Sequence, residues 1–386
     1  MTSRRNFLRL AGTGAVLVVA SGIGLTQCDR LPAAVTEAWN GPRPDLADPR
    51  LRALTYALTA PNPHNLQSWT ADIREPGVVT LFVDRTRLLR ETDPFGRQIM
   101  IGQGTFLELL RIAAAQDGFA TGITLFPEGE YGSDAIGEAP VARITFRQDP
   151  SVPKDPLFAA ILNRRSAKDA YEERALEPAH AAPLSAAMHP GVRTGFTADA
   201  AAVAELKRLS EEAMRVEITT HRTHKESIDV TRVGADEIAR HRDGIDLHGP
   251  MFWWLRTLGV MTPGNALTPG TIAYEAGLDY ALGWARTGTA FGWLVTTGNT
   301  RSEQVAAGIA YVRMNLTATA EGVALHPFSQ ALQEYAEMAP FYAEIHRRLA
   351  PAGSPESGTV QMFYRLGYAA RPEPSPRLPL DAILRA

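Results

Sequence analysis

Two stretches of the chain repeat one order of structural signals, and that repeat limits what it can fold into. In the first, Asp48-Pro49 offers a helix cap and a first-turn proline, followed by Leu51, Leu54 and Leu58 at helical spacing. A β-branched run at Val78–Val83 reads as a strand. Ile99–Gln116 is a periodic apolar helix, through Phe106, Leu107, Leu110 and Ile112, that stops at Asp117-Gly118. Ile123–Phe126 and Val141–Phe146 read as further strands. In the second stretch Asp155-Pro156 opens a helix carrying Leu157, Ile161 and Leu162, and Phe291–Val295 is a strand. Thr300-x-x-Glu303 is a capping box before a helix bearing Val305, Ile309, Val312 and Leu316, which ends at Glu321-Gly322; Thr359–Tyr364 closes the series as a strand. The repeat predicts an α+β fold of two related halves, 48–150 and 151–386, packed against each other as a pseudo-dimer within one chain. Residues 29–47, rich in Pro and Ala without periodicity, read as a linker. Residues 220–275 fit neither half and read as an insertion.

Composition supports this division and removes several function classes. A length of 386 residues suits two fused units. With 39 basic against 42 acidic residues the formal charge is −3, which gives no electrostatic case for nucleic acid. One cysteine, Cys28, leaves no disulfide framework, thiolate zinc site or iron–sulfur cluster. His221, His224, His241 and His248 lie in the insertion without acidic ligands at metal spacing, so no metal is expected. No serine-hydrolase elbow, zinc-protease helix or Walker loop is present.

The N-terminus reads as an address. Ser3-Arg4-Arg5-Asn6-Phe7-Leu8-Arg9 precedes an apolar run from Leu10 to Thr26, the pattern of an export signal, and the paired arginines resemble the twin-arginine type. That route carries folded proteins, so residues 1–28 predict a periplasmic or extracytoplasmic location. Leu25-Thr26-Gln27-Cys28 resembles a lipoprotein box, with Gln27 where a small residue is usual; lipidation or an uncleaved run would tie the N-terminus to a membrane.

Three segments carry chemistry. Pro61-Asn62-Pro63-His64-Asn65-Leu66-Gln67-Ser68-Trp69 follows a helix and is stiffened by two prolines, and its amides offer donors and acceptors together. Taken alone it reads first as a hydrogen-bonded helix-to-strand turn, and second as an edge for a planar heterocycle. Arg164-Arg165-Ser166-Ala167-Lys168 places three cations and a hydroxyl within five residues; alone it reads first as a solvated basic helix end, and second as a clamp for a phosphate. In the tail, Pro376 and Pro379 frame Arg377 in extended chain.

Together these segments resemble the FMN-dependent nitroreductases: the amide loop, the R-R-S-x-K run, the proline-framed arginine, and the helix and loop over 300–333 with His326-Pro327-Phe328-Ser329-Gln330. The amide loop precedes the basic run here, the reverse of the ordinary order, and Asp93-Pro94-x-Gly96-Arg97 adds likeness to the Acg-type branch. Asn62, Pro63 and Ser68 depart from the family's loop.

The resemblance implies one FMN per chain. Arg164, Arg165 and Ser166 would hold the phosphate and ribityl chain, with Arg377 completing the phosphate site. Lys168 would sit near the ribityl or the pyrimidine oxygen. Pro61, Asn62 and Asn65, with Gln67 in the same loop, would edge the ring, and the Ser329 and Gln330 amides would face its reactive nitrogen. It further implies flavin-mediated transfer to a small acceptor of the nitroaromatic or quinone class. The alternative is an FMN-sequestering or storage protein with a closed site. Phe252-Trp253-Trp254 in the insertion reads either as a cover for the flavin or as a short buried segment.

Overall fold

A close crossing of two long helices sets the architecture. In the computed structural model, which describes residues 29–186 and 188–385, the first half runs α1 (Pro49–Ala57), β1 (Trp69–Asp72), β2 (Val78–Val83), α2 (Arg97–Gln116), β3 (Phe119–Leu125) and β4 (Ala142–Gln148). The second runs α3 (Pro178–Leu184), β5 (Arg193–Thr197), α4 (Ala200–Thr219), α5 (His221–Asp229), β6 (Thr231–Val233), α6 (Ala235–His241), β7 (Ile245–Leu247), α7 (Pro250–Thr257), α8 (Pro263–Leu267), α9 (Ile272–Ala285), β8 (Ala290–Thr296), α10 (Arg301–Ala320), β9 (Ala324–Pro327), α11 (Ala339–Leu349), β10 (Thr359–Gly367) and α12 (Leu380–Ile383). The fold is α+β. The sequence-read signal and Cys28 lie outside the described residues, and among the described residues no helix is long and apolar enough to cross a membrane.

Each half builds a four-stranded antiparallel sheet, β1-β2-β4-β3 and β5-β8-β10-β9. In both, the strands stand in the order first, second, fourth, third, and the long helix joins the second to the third. The Asp93 carboxylate accepts from the Gln98 and Ile99 amides at 3.1 and 3.0 Å, covering the first turn of α2. Thr300 and Glu303 form the expected reciprocal capping box on α10. Both helices are buried on nearly every side, which accounts for their all-round apolar character.

Gly104 and Gly308 make the crossing. A Cβ on Gly104 would lie 2.0 Å from the Val305 carbonyl oxygen, and one on Gly308 would lie 2.0 Å from that of Ile101. The first residue of each helix is an almost fully buried arginine reaching into the opposite half. Arg97 donates to the Gln361 and Leu332 carbonyls at 2.7 and 2.6 Å; Arg301 donates to those of Phe95, Gly132 and Ser133 at 2.7, 3.1 and 3.1 Å.

Two readings of the sequence need correction here. Residues 29–47 are no free linker: Ala33–Asn40 is a 3-10 helix with Val35, Ala38 and Trp39 buried, and the Trp39 indole donates to the Ser375 carbonyl at 2.9 Å. Its order comes from tertiary contact, which leaves no 3.6-residue period to read. The boundary near residue 150 also does not divide the cores, since Ile161 from 156–163 and Leu378 and Ile383 from the tail pack with α1 and α2. The tail returns to the edge of the first sheet, where the Arg385 amide donates to the Ala71 carbonyl at 2.9 Å.

The insertion is ordered by what it grips. Glu226 on α5 accepts from the Glu91 and Thr92 amides at 2.9 and 2.8 Å, Asp243 pairs with Arg87, and the Gly244 amide donates to the Asn65 carbonyl at 3.1 Å. Residues 221–248 are thereby fastened across the first half. The aromatic triplet is not a buried segment: it lies on α7, which has no buried residue.

Candidate functional site

The loop after α1 holds three non-glycine residues in the left-handed region, His64, Asn65 and Gln67, at φ 49°, 54° and 54°. Each costs on the order of 1–2 kcal/mol, so the surroundings must over-determine the loop. They do. Asn62 Oδ1 accepts from the Gln67 amide at 2.8 Å, and Asn65 Oδ1 accepts from Arg377 at 2.6 Å while its Nδ2 donates to the Pro376 carbonyl at 3.1 Å. Gln67 Oε1 accepts from the Leu378 amide at 2.8 Å, and its Nε2 donates to the Arg242 carbonyl at 2.9 Å. The Pro61 carbonyl accepts from Thr105 on α2 at 2.8 Å. The expectation that Asn65 and Gln67 edge a ring is corrected accordingly. Their amides are spent on the tail and the insertion, and Gln67 is fully buried. Asn62, half-buried against α2 beside Gly102, also uses its Nδ2, which donates to the Ala60 carbonyl at 3.1 Å.

Directly behind this loop the structure gathers Arg164, Arg165 and Arg377 around Trp39, their guanidinium carbons 5.4, 4.1 and 5.0 Å from the indole centroid. Arg164 and Arg377 are 2% and 3% exposed. Their hydrogen bonds go to neutral acceptors: Arg164 to the Thr59 carbonyl at 2.8 Å, Arg165 to the Leu162 carbonyl at 3.0 Å, and Arg377 to Asn65 and to Ser375 Oγ at 2.7 Å. Among the described residues no carboxylate pairs with any of the three, and Arg164 Nε and Nη1, Arg165 Nε and Arg377 Nε are buried without an acceptor. Burial pushes the Arg164 and Arg165 guanidinium groups down to about 10, and burial followed by repulsion from Arg164 holds Arg377 well below its ordinary value. Buried cations normally carry a partner. A cluster of three without one has the chemistry of a site for a multiply charged anion, and a phosphate supplies the acceptor oxygens that these donors lack. Trp39 escaped the sequence reading. The one signal for it was a large aromatic in an otherwise small-residue segment.

Further along, Lys168 lies 6.0 Å from the Trp284 ring. Its charge helps hold His64 and His326 in their neutral forms, though burial is the larger cause for both; His64 is brought down to about 4. The same charge, together with the His248 hydrogen bond, keeps Asp246 on β7 ionised despite its burial. Lys168 thus stands between the amide loop, β9 and the insertion. Ser166 is half-buried beside it, and the Ala167 amide ties the run to the Leu325 carbonyl at 3.2 Å.

Ser329 and Gln330 turn the chain out of β9, both half-buried, and Gln330 Oε1 has no partner. Next to them Glu217 on α4 accepts from Gln333 at 2.8 Å, with Gln330 and Ser227 also within hydrogen-bonding reach, and burial raises its carboxyl to about 7. Ser227 in turn meets His64 Nε2 at 3.1 Å. A polar chain therefore links the amide loop to the turn after β9, and Glu217 in it was not legible as a site residue. Two surface hollows lie off this line, one against α11 at Ala343 and His346 and one at Leu66, Arg87 and Asp243. Among the described residues no group of His, Cys, Asp and Glu is placed to hold a metal ion.

No family model matches the chain. It is 39% identical over 75 residues to a Mycobacterium tuberculosis protein named as the NAD(P)H nitroreductase acg, a match spanning 19% of this chain and only 22% of that protein. A second M. tuberculosis protein, also named as an NAD(P)H nitroreductase, is 28% identical over 342 residues, covering 86% of this chain and 89% of its own. Among solved structures, one described as a nitroreductase from Anabaena variabilis aligns with a TM-score of 0.40 and 11% identity, over 87% of this chain and 91% of that one. Over most of its length, then, this chain is similar to a protein that carries the nitroreductase name.

Proposed function

We propose that the chain is an FMN-dependent oxidoreductase of the nitroreductase type. The cluster of buried Arg164 and Arg377 with half-buried Arg165 around Trp39, with no carboxylate paired to any of them among the described residues, carries this reading. The residues fit the cofactor. The three arginines would hold the phosphate, Ser166 and Lys168 would lie toward the ribityl chain and ring, Pro61 and Asn62 would edge the ring, and Ser329 and Gln330 would present backbone amides. The bound flavin supplies the redox chemistry; the chain binds, orients and tunes it. Lys168, between neutral His64 and His326 and the ionised Asp246, would favour negative charge on the reduced ring. Nitroaromatics or quinones are the acceptor class proposed, and twin-arginine export to the periplasm its location. There the electron donor must be something other than periplasmic NAD(P)H. The matching strand order of the two sheets supports reading the chain as a fused pseudo-dimer.

A second reading, FMN storage with little turnover, draws on the insertion. Gly244, Arg242 and Ser227 bond directly to the amide loop, which narrows access to anything held there. Reoxidation of the reduced protein by a nitroaromatic or a quinone separates the two.

The test of the site is spectroscopic. The purified chain should carry the flavin absorption bands, and Arg164→Met with Arg377→Met should lose them, each charge-assisted contact to phosphate being worth about 1.5–3 kcal/mol. A folded double variant that retains its full yellow colour would refute the assignment.

A further inference from the structure

Large apolar side chains exposed to solvent concentrate in one segment. Of six among the described residues, three lie on α7 or its end: Met251, Trp254 and Leu258 at 46%, 43% and 68% exposure. Their spacing puts them on one helix face. Two more, Ile272 and Tyr280, are on α9. Phe252, Trp253 and Leu255 of this eight-residue helix are half-buried, but the chain's own core gives Met251, Trp254 and Leu258 little apolar contact.

What covers it follows from where the chain enters. Asp29, the first described residue, is clamped at the start of α7: its carboxylate accepts from the Gly249 amide at 2.8 Å and from the Ala235 amide at 2.5 Å. Gly249 is the cap of α7. The apolar run Leu10–Thr26 ends three residues before Asp29, a covalent reach of at most about 11 Å. That is little more than the thickness of one headgroup layer, roughly 5–8 Å. If the run enters a bilayer, α7 has no room to be elsewhere than at its surface.

We infer that the α7 face of Met251, Trp254 and Leu258 is a lipid-docking surface that lies in the membrane interface beside the N-terminal run. Trp is suited to that depth, with an apolar body and a polar N–H. Docking this face would hold the protein in one orientation at the bilayer, beyond what a single tether provides.

The test uses the full chain with the apolar run Leu10–Thr26 kept and unacylated, in vesicles of phosphatidylethanolamine and phosphatidylglycerol. With Cys28→Ser in place, a nitroxide is attached at Leu258→Cys or, as an exposed control on α4, at Arg208→Cys. On adding vesicles, the ratio of collisions with oxygen to collisions with a water-soluble nickel chelate should rise at least threefold at 258 and stay constant at 208. Trp254→Glu should reduce the rise at 258. A membrane-bound chain whose label at 258 keeps its aqueous ratio overturns the proposal. So does a label shielded from both reagents before lipid is added, which would mean a second copy covers the face. A chain that does not bind the vesicles overturns both the proposal and the anchoring of the N-terminal run, whereas neither of the first two results touches the anchoring.

Discussion

Burial holds the Glu217 carboxyl up at about 7, against 4.5 in an unfolded chain. The folded protein therefore keeps that proton more tightly, and stability is complete below about pH 4.5 and is lost as pH rises through 7. Glu217→Gln keeps an acceptor for Gln333 and removes the titration. Its stability advantage over the parent should grow between pH 5 and pH 8 by on the order of 2 kcal/mol, measured by urea unfolding at each pH. A gap that does not change with pH would mean the carboxylate finds compensation. His64 runs the other way: its folded value near 4 lies below 6.5, so its contribution is present above pH 6.5 and lost toward pH 4. At this scale the sequence was legible where charge stood alone. Arg164, Arg165 and Arg377 were found because basic residues in a short run or between prolines announce themselves. Glu217 was not, because only the fold brings it to Gln330 and Gln333, more than a hundred residues downstream. Gln67 was read by its chemistry and misplaced, since sequence does not say whether an amide's partners will come from a ligand or from the chain itself.

At the scale of elements, the helix crossing gives the sharpest prediction. Gly104→Ala sets a methyl group against the Val305 backbone and should cost at least about 2 kcal/mol, whereas Gly102→Ala, two residues away, meets Asn62 Cβ at 3.5 Å in ordinary contact. Gly102→Ala should be neutral or stabilise by up to about 1 kcal/mol, because alanine is the better helix former. Urea midpoints of the two variants test the pair together, and equal destabilisation would mean the crossing is looser than described. Both long helices were readable in advance from their periodicity, from the capping box at Thr300 and from their terminal glycines. Five strands were readable to within a few residues, as at Val78–Val83 and Ala290–Thr296, whereas β1, β5 and β9 were not. The 3-10 helix at Ala33–Asn40 and the short elements of the insertion were not. Such segments have too few turns to show a period, and they owe their shape to Trp39, Glu226 and Asp243 finding partners far off in sequence.

For the whole molecule the prediction is a count. The arginine cluster draws on residues 39, 164, 165 and 377, and the first half has no matching run, so the purified chain should hold one FMN. A ratio of two by absorption and acid release would show that the repeat extends to the cofactor. Export is testable at the same scale: Arg4→Lys with Arg5→Lys should leave flavin-loaded protein in the cytoplasm, and undiminished periplasmic yield would exclude the twin-arginine route. The like strand order of the two sheets was foreshadowed by the repeat of signals, but the return of the tail to the first sheet was not, because nothing in Leu378–Ile383 says which core it will join.

The exchanged arginines also put a clock on synthesis. Arg97 is made early, but its acceptor at the Gln361 carbonyl lies 264 residues downstream. At ribosomal speeds of about 5–20 residues per second, that guanidinium waits roughly 13–50 seconds for its partner. Through that interval the guanidinium is left to water, and the glycine notch of α2 faces no second helix. The first half can be finished early, but the seam it presents stays wet until most of the chain has been made.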